Sequence, residues 1–305
     1  MALDIEFLVS LAEILNKAYF DNDLYDKFIR TRGAKAFLKH EKVDKLDMKK
    51  ELIKIIEEEA YEDKFQFYQI KEKIPQLLED IEYIKKYQGL IIDKALERVY
   101  KIVPEEMEIH RDIYLYAGGV DGGFTLNRSR VFINYSKYIG KEEDFIKILS
   151  HELYHSRIIP LRYKLKFTLR TIPKNKRYAY NILGKLLEEG IASLIQHGAI
   201  LNKDHLMGKL TGRNLVHIRE QFNILNSILI DARYGNFDKT KLKNLNVYST
   251  GYLIVTTVYK QAGVLPLDSW TMNLDFRGII RTYNELCIKK NLPYRFNYEA
   301  IEWLI

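Results

Sequence analysis

Apolar residues recur every three or four positions through most of the first hundred residues, which is the spacing of one face of an α-helix. Residues 1–103 contain one proline, Pro75, and two glycines, Gly33 and Gly89, so little interrupts this pattern. The sequence predicts several helices joined by short polar turns, beginning with an amphipathic helix at the N-terminus. The apolar positions are Ile5, Leu8, Leu11, Ile14 and Leu15, then Leu52, Ile55 and Ile56, then Leu77, Leu78, Ile81 and Ile84.

The pattern changes near Pro104, where alternation of apolar and polar residues replaces the helical spacing. Glycine pairs at 118–119 and 122–123 separate the alternating segments, as is typical of β-hairpins. We therefore predict two or three antiparallel strands, at about 107–117, 120–127 and 130–135. Helical spacing returns at Lys141 and continues to the end. The predicted fold is α+β and mostly α-helical, with a helical region at 1–103 and a second domain at 104–305.

Composition limits the possible chemistry. Hydrophobic residues make up 47% of the 305 residues, enough to bury a real core. Because Cys287 is the single cysteine, a disulfide framework and a cysteine zinc cluster are both excluded. A metal site must therefore use His, Asp and Glu. The net charge of +7 is modest, its basic residues are scattered, and no nucleic-acid-reading motif accompanies them, so no nucleic-acid partner is expected.

The N-terminal segment carries acidic residues within its apolar pattern and lacks the basic start of a signal peptide. No apolar run approaches the roughly 18 residues of a membrane span. We expect a soluble, cytoplasmic protein with no membrane partner. The abundance of Tyr, Lys, Ile and Asn favours a bacterial source.

Residues 151–155 read His-Glu-Leu-Tyr-His, an H-E-x-x-H motif, and Phe145, Leu149 and Leu153 give the segment helical apolar spacing. Two histidines four positions apart project from the same face of a helix, so both imidazoles can bind one zinc ion. Glu152 is rotated by about 100° from His151 and can act on a zinc-bound water without being a ligand. The motif predicts a zinc site with Glu152 as general base and acid.

A catalytic zinc needs a third protein ligand and an open fourth position. The helix predicted around residues 177–198 has apolar residues on both sides of Glu188 and Glu189, which precede the small residues Gly190 and Ala192. We expect these small residues to let this helix approach the H-E-x-x-H helix closely. One of the two glutamates then lies near a buried boundary, where binding a metal offsets the cost of burying its charge.

With Glu189-Gly190-Ile191-Ala192 added to the H-E-x-x-H motif, residues 120–265 resemble the gluzincin metallopeptidases, and in particular predicted bacterial zinc-dependent peptidases. The resemblance implies a zincin-like core and makes Glu189 the third ligand, with Glu188 behind it or solvated. It also implies that an extended peptide binds along the strand segment 124–135. For the oxyanion it implies a donor from a later helix, for which Tyr248 and Tyr252 are the candidates.

The sequence thus predicts a zinc metallopeptidase that acts on a peptide or protein substrate. Two alternatives remain open at this point. The first is an intracellular regulatory protease with one dedicated protein substrate. The second is a non-catalytic zinc-binding scaffold, which the presence of Glu152 disfavours because a structural zinc site has no need of a carboxylate that is not a ligand.

Overall fold

The computed structural model describes residues 2–58, 62–109, 112–120, 122–126 and 130–305. The chain forms two compact units. The first unit comprises Met1–Leu96 and His110–Ser156, and the second comprises Glu97–Ile109 and Arg157–Ile305. The mostly helical architecture with one small sheet agrees with the sequence. The domain boundary at residue 104 and the zincin-like character of the core remain predictions.

The predicted helices of the first hundred residues are confirmed. Several begin at a side-chain cap: Asp21, Thr31 and Asp44 each accept a hydrogen bond from a backbone N–H in the first turn of the helix that follows. The first helix begins only at Glu6, because Leu3 and Asp4 join the sheet instead. The helices are α1 (Glu6–Leu15), α2 (Asn22–Phe28), α3 (Arg32–Glu41), α4 (Lys45–Glu57), α5 (Phe67–Lys71) and α6 (Ile74–Tyr100).

The sheet lies in the first unit and has the strand order β1-β2-β4-β3. Its strands are β1 (Leu3–Asp4), β2 (Asp112–Tyr116), β3 (Gly123–Leu126) and β4 (Arg130–Asn134). Strands β3 and β4 are antiparallel, as predicted. Strand β4 pairs with β2 in parallel, and so does β1, so the prediction of an antiparallel sheet was wrong for these two pairs.

The physical reason lies in the link after β2. Gly118 and Gly119 both have positive φ, at 109° and 73°, a conformation that glycine adopts without steric cost. After β2 the chain first forms β3 at the edge of the sheet. It then returns as β4, which lies between β2 and β3. Residues 113–116 and 131–134 are buried at every position, as expected of central strands with both faces covered.

Helices fill the rest of the chain, which confirms the predicted return of helix near Lys141. Within the described residues, no helix combines the length and apolar character needed to cross a membrane. These helices are α7 (Glu142–His155), α8 (Leu161–Arg170), α9 (Lys174–His197), α10 (Gly212–Val216), α11 (Ile218–Arg233), α12 (Lys239–Asn244), α13 (Val247–Ala262), α14 (Leu265–Thr271), α15 (Arg277–Lys289) and α16 (Tyr298–Leu304).

Helices α9 and α13 of the second unit touch backbone to backbone through two glycines. A Cβ atom at Gly190 would overlap the carbonyl group of Gly251, and one at Gly251 would overlap the carbonyl oxygen of Leu186. We had expected Gly190 to serve the approach of its helix to the H-E-x-x-H helix. The glycine instead makes room for α13, because the position that a Cβ atom would take at residue 190 is occupied by the backbone of Gly251.

Candidate metal centre

Helix α7 holds the two histidines of the motif. Its first turn carries Glu142, Glu143 and Asp144, which complement the positive end of the helix dipole. His151 is buried and His155 is half-buried, one turn further on. Their Nε2 atoms lie 3.1 Å apart. Two nitrogens bound to one tetrahedral zinc at about 2.0–2.1 Å would be roughly 3.3 Å apart, so the pair fits this ion closely.

Glu189 of α9 supplies the third donor. One ligand atom from each of His151, His155 and Glu189 lies within 4.8 Å of the other two. Two imidazole nitrogens and one carboxylate oxygen are a donor set that suits catalytic zinc and leaves a fourth position for water or substrate. The structure therefore brings together all three residues that the sequence nominated as ligands.

Glu188, the alternative third ligand, has other partners. Arg157 donates to its carboxylate from Nη1 at 2.5 Å and from Nη2 at 2.8 Å, and Trp270 donates from Nε1 at 2.9 Å. The Arg157 guanidinium is itself buried and also donates from Nε to the carbonyl oxygen of Thr271 at 3.0 Å. Because neighbouring side chains on a helix are about 100° apart, fixing Glu188 on Arg157 also fixes the direction of Glu189.

Glu152 is half-buried and follows His151 on α7, outside the group of three candidate ligands. The charge of Glu152 affects the pKa of Tyr138, a buried residue that the sequence analysis did not single out. Burial, and then the negative charges of Glu152 and Asp144, raise the pKa of Tyr138 far above its usual value. Among the described residues its hydroxyl has no hydrogen-bond partner. Nothing in the sequence marked Tyr138, because it lies ahead of α7, outside the motif, and belongs to no pattern.

The two tyrosines predicted as oxyanion donors lie on α13 in different surroundings. The Tyr252 hydroxyl donates to the carbonyl oxygen of Gly198 at 2.9 Å, and burial raises the pKa of Tyr252 to about 12. Tyr248 is half-buried, and the Lys209 Nζ atom lies 5.2 Å from its ring centroid. A role for either residue in binding an oxyanion remains a prediction.

The segment nominated for substrate binding, 124–135, contains most of β3 and all of β4. Strand β3 forms one edge of the sheet, since the strand order of the described residues ends there. Residues 127–129 lie outside the described part of the chain, as do the side chains of 124–126. The edge position leaves one side of the β3 backbone without a neighbouring strand in the described sheet.

Comparison with known proteins adds one match. Residues 25–292 match the model of a family described as “Putative zinc dependent peptidase (DUF5700)”. The match covers most of the chain, including α7 and α9. No curated protein and no solved structure matches the chain.

Proposed function

The chain belongs to this family of zinc-dependent peptidases, and from that premise we propose that it hydrolyses peptide bonds as a gluzincin-type metallopeptidase. In this proposal His151, His155 and Glu189 hold the zinc ion. The observation that carries it is the convergence of their three donor atoms within 4.8 Å, on a histidine pair whose spacing suits one ion. A cytoplasmic location and a bacterial source remain predictions.

Bound zinc supplies a Lewis acid that lowers the pKa of water and polarises a carbonyl group. Glu152 acts as general base, because its position next to His151 puts a carboxylate beside the ligand group without making it a ligand. It accepts a proton from the attacking water and then passes that proton to the nitrogen of the leaving amine.

The peptide substrate would bind in extended form along β3, because an edge strand can pair its free backbone groups with an added strand. The support is the place of β3 at the end of the sheet. As oxyanion donors we propose Tyr248 and Tyr252, which both lie on α13 and would each be tested by replacement with phenylalanine.

The test is zinc content combined with peptidase activity. We expect about one zinc per chain in the wild type and in Glu152→Gln, and sharp loss in His155→Ala and Glu189→Ala. The matched control is His217→Ala, which removes an exposed histidine of the second unit and should leave the zinc content unchanged. Cleavage of a mixed peptide library should disappear in Glu152→Gln although the metal remains.

Each other outcome has a defined meaning. Zinc retained in Glu189→Ala would move the third ligand elsewhere. Zinc in the wild type without cleavage of the peptide library would favour a protease with one dedicated substrate or a scaffold. A wild-type protein that binds no zinc after reconstitution would refute the proposal.

A further inference from the structure

Helix α8 presents an apolar ridge to solvent. Leu161, Leu165 and Leu169 are 70%, 55% and 66% exposed, and their spacing of four residues places them along one face of the helix. Ile158 before the helix and Ile172 after it are exposed as well. No residue of α8 is buried. Exposed leucines are common singly, but a continuous row of them along one helix usually marks an interaction surface.

The other side of α8 attaches the helix to the second unit. The Phe167 ring lies 5.9 Å from the ring of Tyr180 and 6.1 Å from that of Trp270, centroid to centroid. At the last residue of the helix, the Arg170 guanidinium forms an ion pair with Asp275 at 3.2 Å. Positions 167 and 170 project away from the leucine ridge. The helix is therefore fixed from behind, with the leucines facing outward.

The sequence segment that contains the ridge carries charge of one sign. We had described the basic residues as scattered, but between Glu152 and Glu188 the chain has no acidic residue. The number of basic residues in this segment exceeds the net charge of the whole chain, which is +7. They are Arg157, Arg162, Lys164, Lys166, Arg170, Lys174, Lys176, Arg177 and Lys185.

Three of these basic residues border the ridge. Arg162, Lys164 and Lys166 are all exposed. At about 100° per residue, Arg162 and Lys166 lie along one side of the leucine row and Lys164 lies along the other. A row of aliphatic side chains with cations on both sides matches the layered chemistry of a lipid headgroup region, in which phosphates lie above acyl chains.

We propose that α8 is an interfacial helix that binds this protein to the surface of an anionic phospholipid membrane. Leu161, Leu165 and Leu169 would enter the boundary between headgroups and acyl chains, and the three flanking cations would contact lipid phosphates. A ridge that projects from the surface suits a deformable lipid phase, whereas a protein partner would need a matching groove. The earlier expectation of no membrane partner rested on the lack of a spanning segment, which an interfacial helix does not require.

The test uses the full chain and lipid vesicles made of phosphatidylglycerol and phosphatidylcholine in equal parts, or of phosphatidylcholine alone. We expect co-sedimentation with the anionic vesicles at about 0.1 M salt, weaker binding at about 0.5 M salt, and none with the neutral vesicles. The triple variant Leu161→Gln, Leu165→Gln, Leu169→Gln should bind at least about tenfold more weakly. Neutralising the flanking cations, with Arg162→Gln, Lys164→Gln and Lys166→Gln, should weaken binding to a similar extent.

Matched controls separate the ridge from general surface effects. Leu46, Val216 and Leu265 are similarly exposed, and Lys243, Lys289 and Lys290 are exposed cations elsewhere. Replacing either set by glutamine should change vesicle binding less than twofold. Equal losses in the control and α8 variants, or no binding by the wild type, would overturn the proposal. So would a leucine variant that binds vesicles normally but loses self-association in analytical ultracentrifugation, because the ridge would then cover a second copy of the chain.

Discussion

At the scale of single residues, the adjacent glutamates of α9 differ in their partners, and this difference can be measured. The Arg157 side chain is 3% exposed and has Glu188 as its carboxylate partner. Glu188→Gln would leave the buried guanidinium without that charge, so we expect a loss of about 2–4 kcal/mol in the free energy of unfolding. The measurement is urea denaturation of chelator-treated protein, which removes any stabilisation by metal.

Glu189→Gln is the control for this prediction. This variant keeps the ion pair of Arg157 with Glu188, so without metal it should not show the loss that comes from breaking that pair. With zinc present, only Glu189→Gln should lose the stabilisation that the metal gives. A Glu188→Gln protein as stable as the wild type would show that the ion pair contributes little.

The two histidines of the candidate site could be nominated from the sequence because local spacing specifies them: His151 and His155 are one helical turn apart in any α-helix. The apolar spacing around Glu188 and Glu189 left both open, and the resemblance to the gluzincins made Glu189 the candidate. The neighbour of Gly190 could not be found in the same way. A glycine in a helix indicates that something approaches closely, but its packing partner, Gly251, is distant in the sequence and becomes adjacent only through the tertiary fold.

At the scale of helices, the contact between α9 and α13 should tolerate no added methyl group. Alanine is a better helix former than glycine by about 1 kcal/mol, yet a Cβ at Gly251 would overlap the Leu186 carbonyl oxygen. We expect Gly251→Ala to lower the free energy of unfolding by about 1–3 kcal/mol, because backbone cannot move aside as a side chain can. Thermal and urea denaturation both measure this loss.

The control is Gly89→Ala in α6, where a Cβ atom would meet nothing within 4 Å. There the gain in helix propensity acts alone, and the protein should become more stable by about 0.5–1 kcal/mol. If Gly251→Ala were stabilising to the same degree, the close approach of the two helices would be refuted.

The strands show what the alternating pattern can and cannot determine. Alternation near residues 107–117 and the glycines after it correctly predicted strands here and the hairpin of β3 with β4. The pattern did not predict that β4 would pair with β2 in parallel, because alternation describes the faces of a strand and not its neighbour. Strand β1 has two residues, Leu3 and Asp4, too few to show any period.

At the scale of the whole molecule, stability at acid pH should depend on Asp275. Burial disfavours its charged form, but the hydrogen bonds and charge of Arg277, with the charge of Arg170, outweigh this and hold the pKa of Asp275 well below its ordinary value of 3.8. A carboxyl group whose pKa is lower in the folded than in the unfolded state stabilises the fold above the unfolded value. That stabilisation is lost as the pH falls below about 4 and the unfolded chain takes up the proton first.

The prediction compares the wild type with Asp275→Asn by urea denaturation from pH 7 down to pH 3. Between pH 7 and about 5 the variant should be less stable by a constant amount, about 1–3 kcal/mol, because Asp275 is partly exposed and its ion pairs are partly screened. Below about pH 4 the difference should shrink, since the wild type loses the stabilisation that the variant lacks throughout. Asp93→Asn, at an exposed position of α6, serves as the control for a surface amide. A difference that stays constant or widens towards pH 3 would show that the carboxylate of Asp275 does not act through its charge, and that Arg170, the anchor of α8, is held by other contacts.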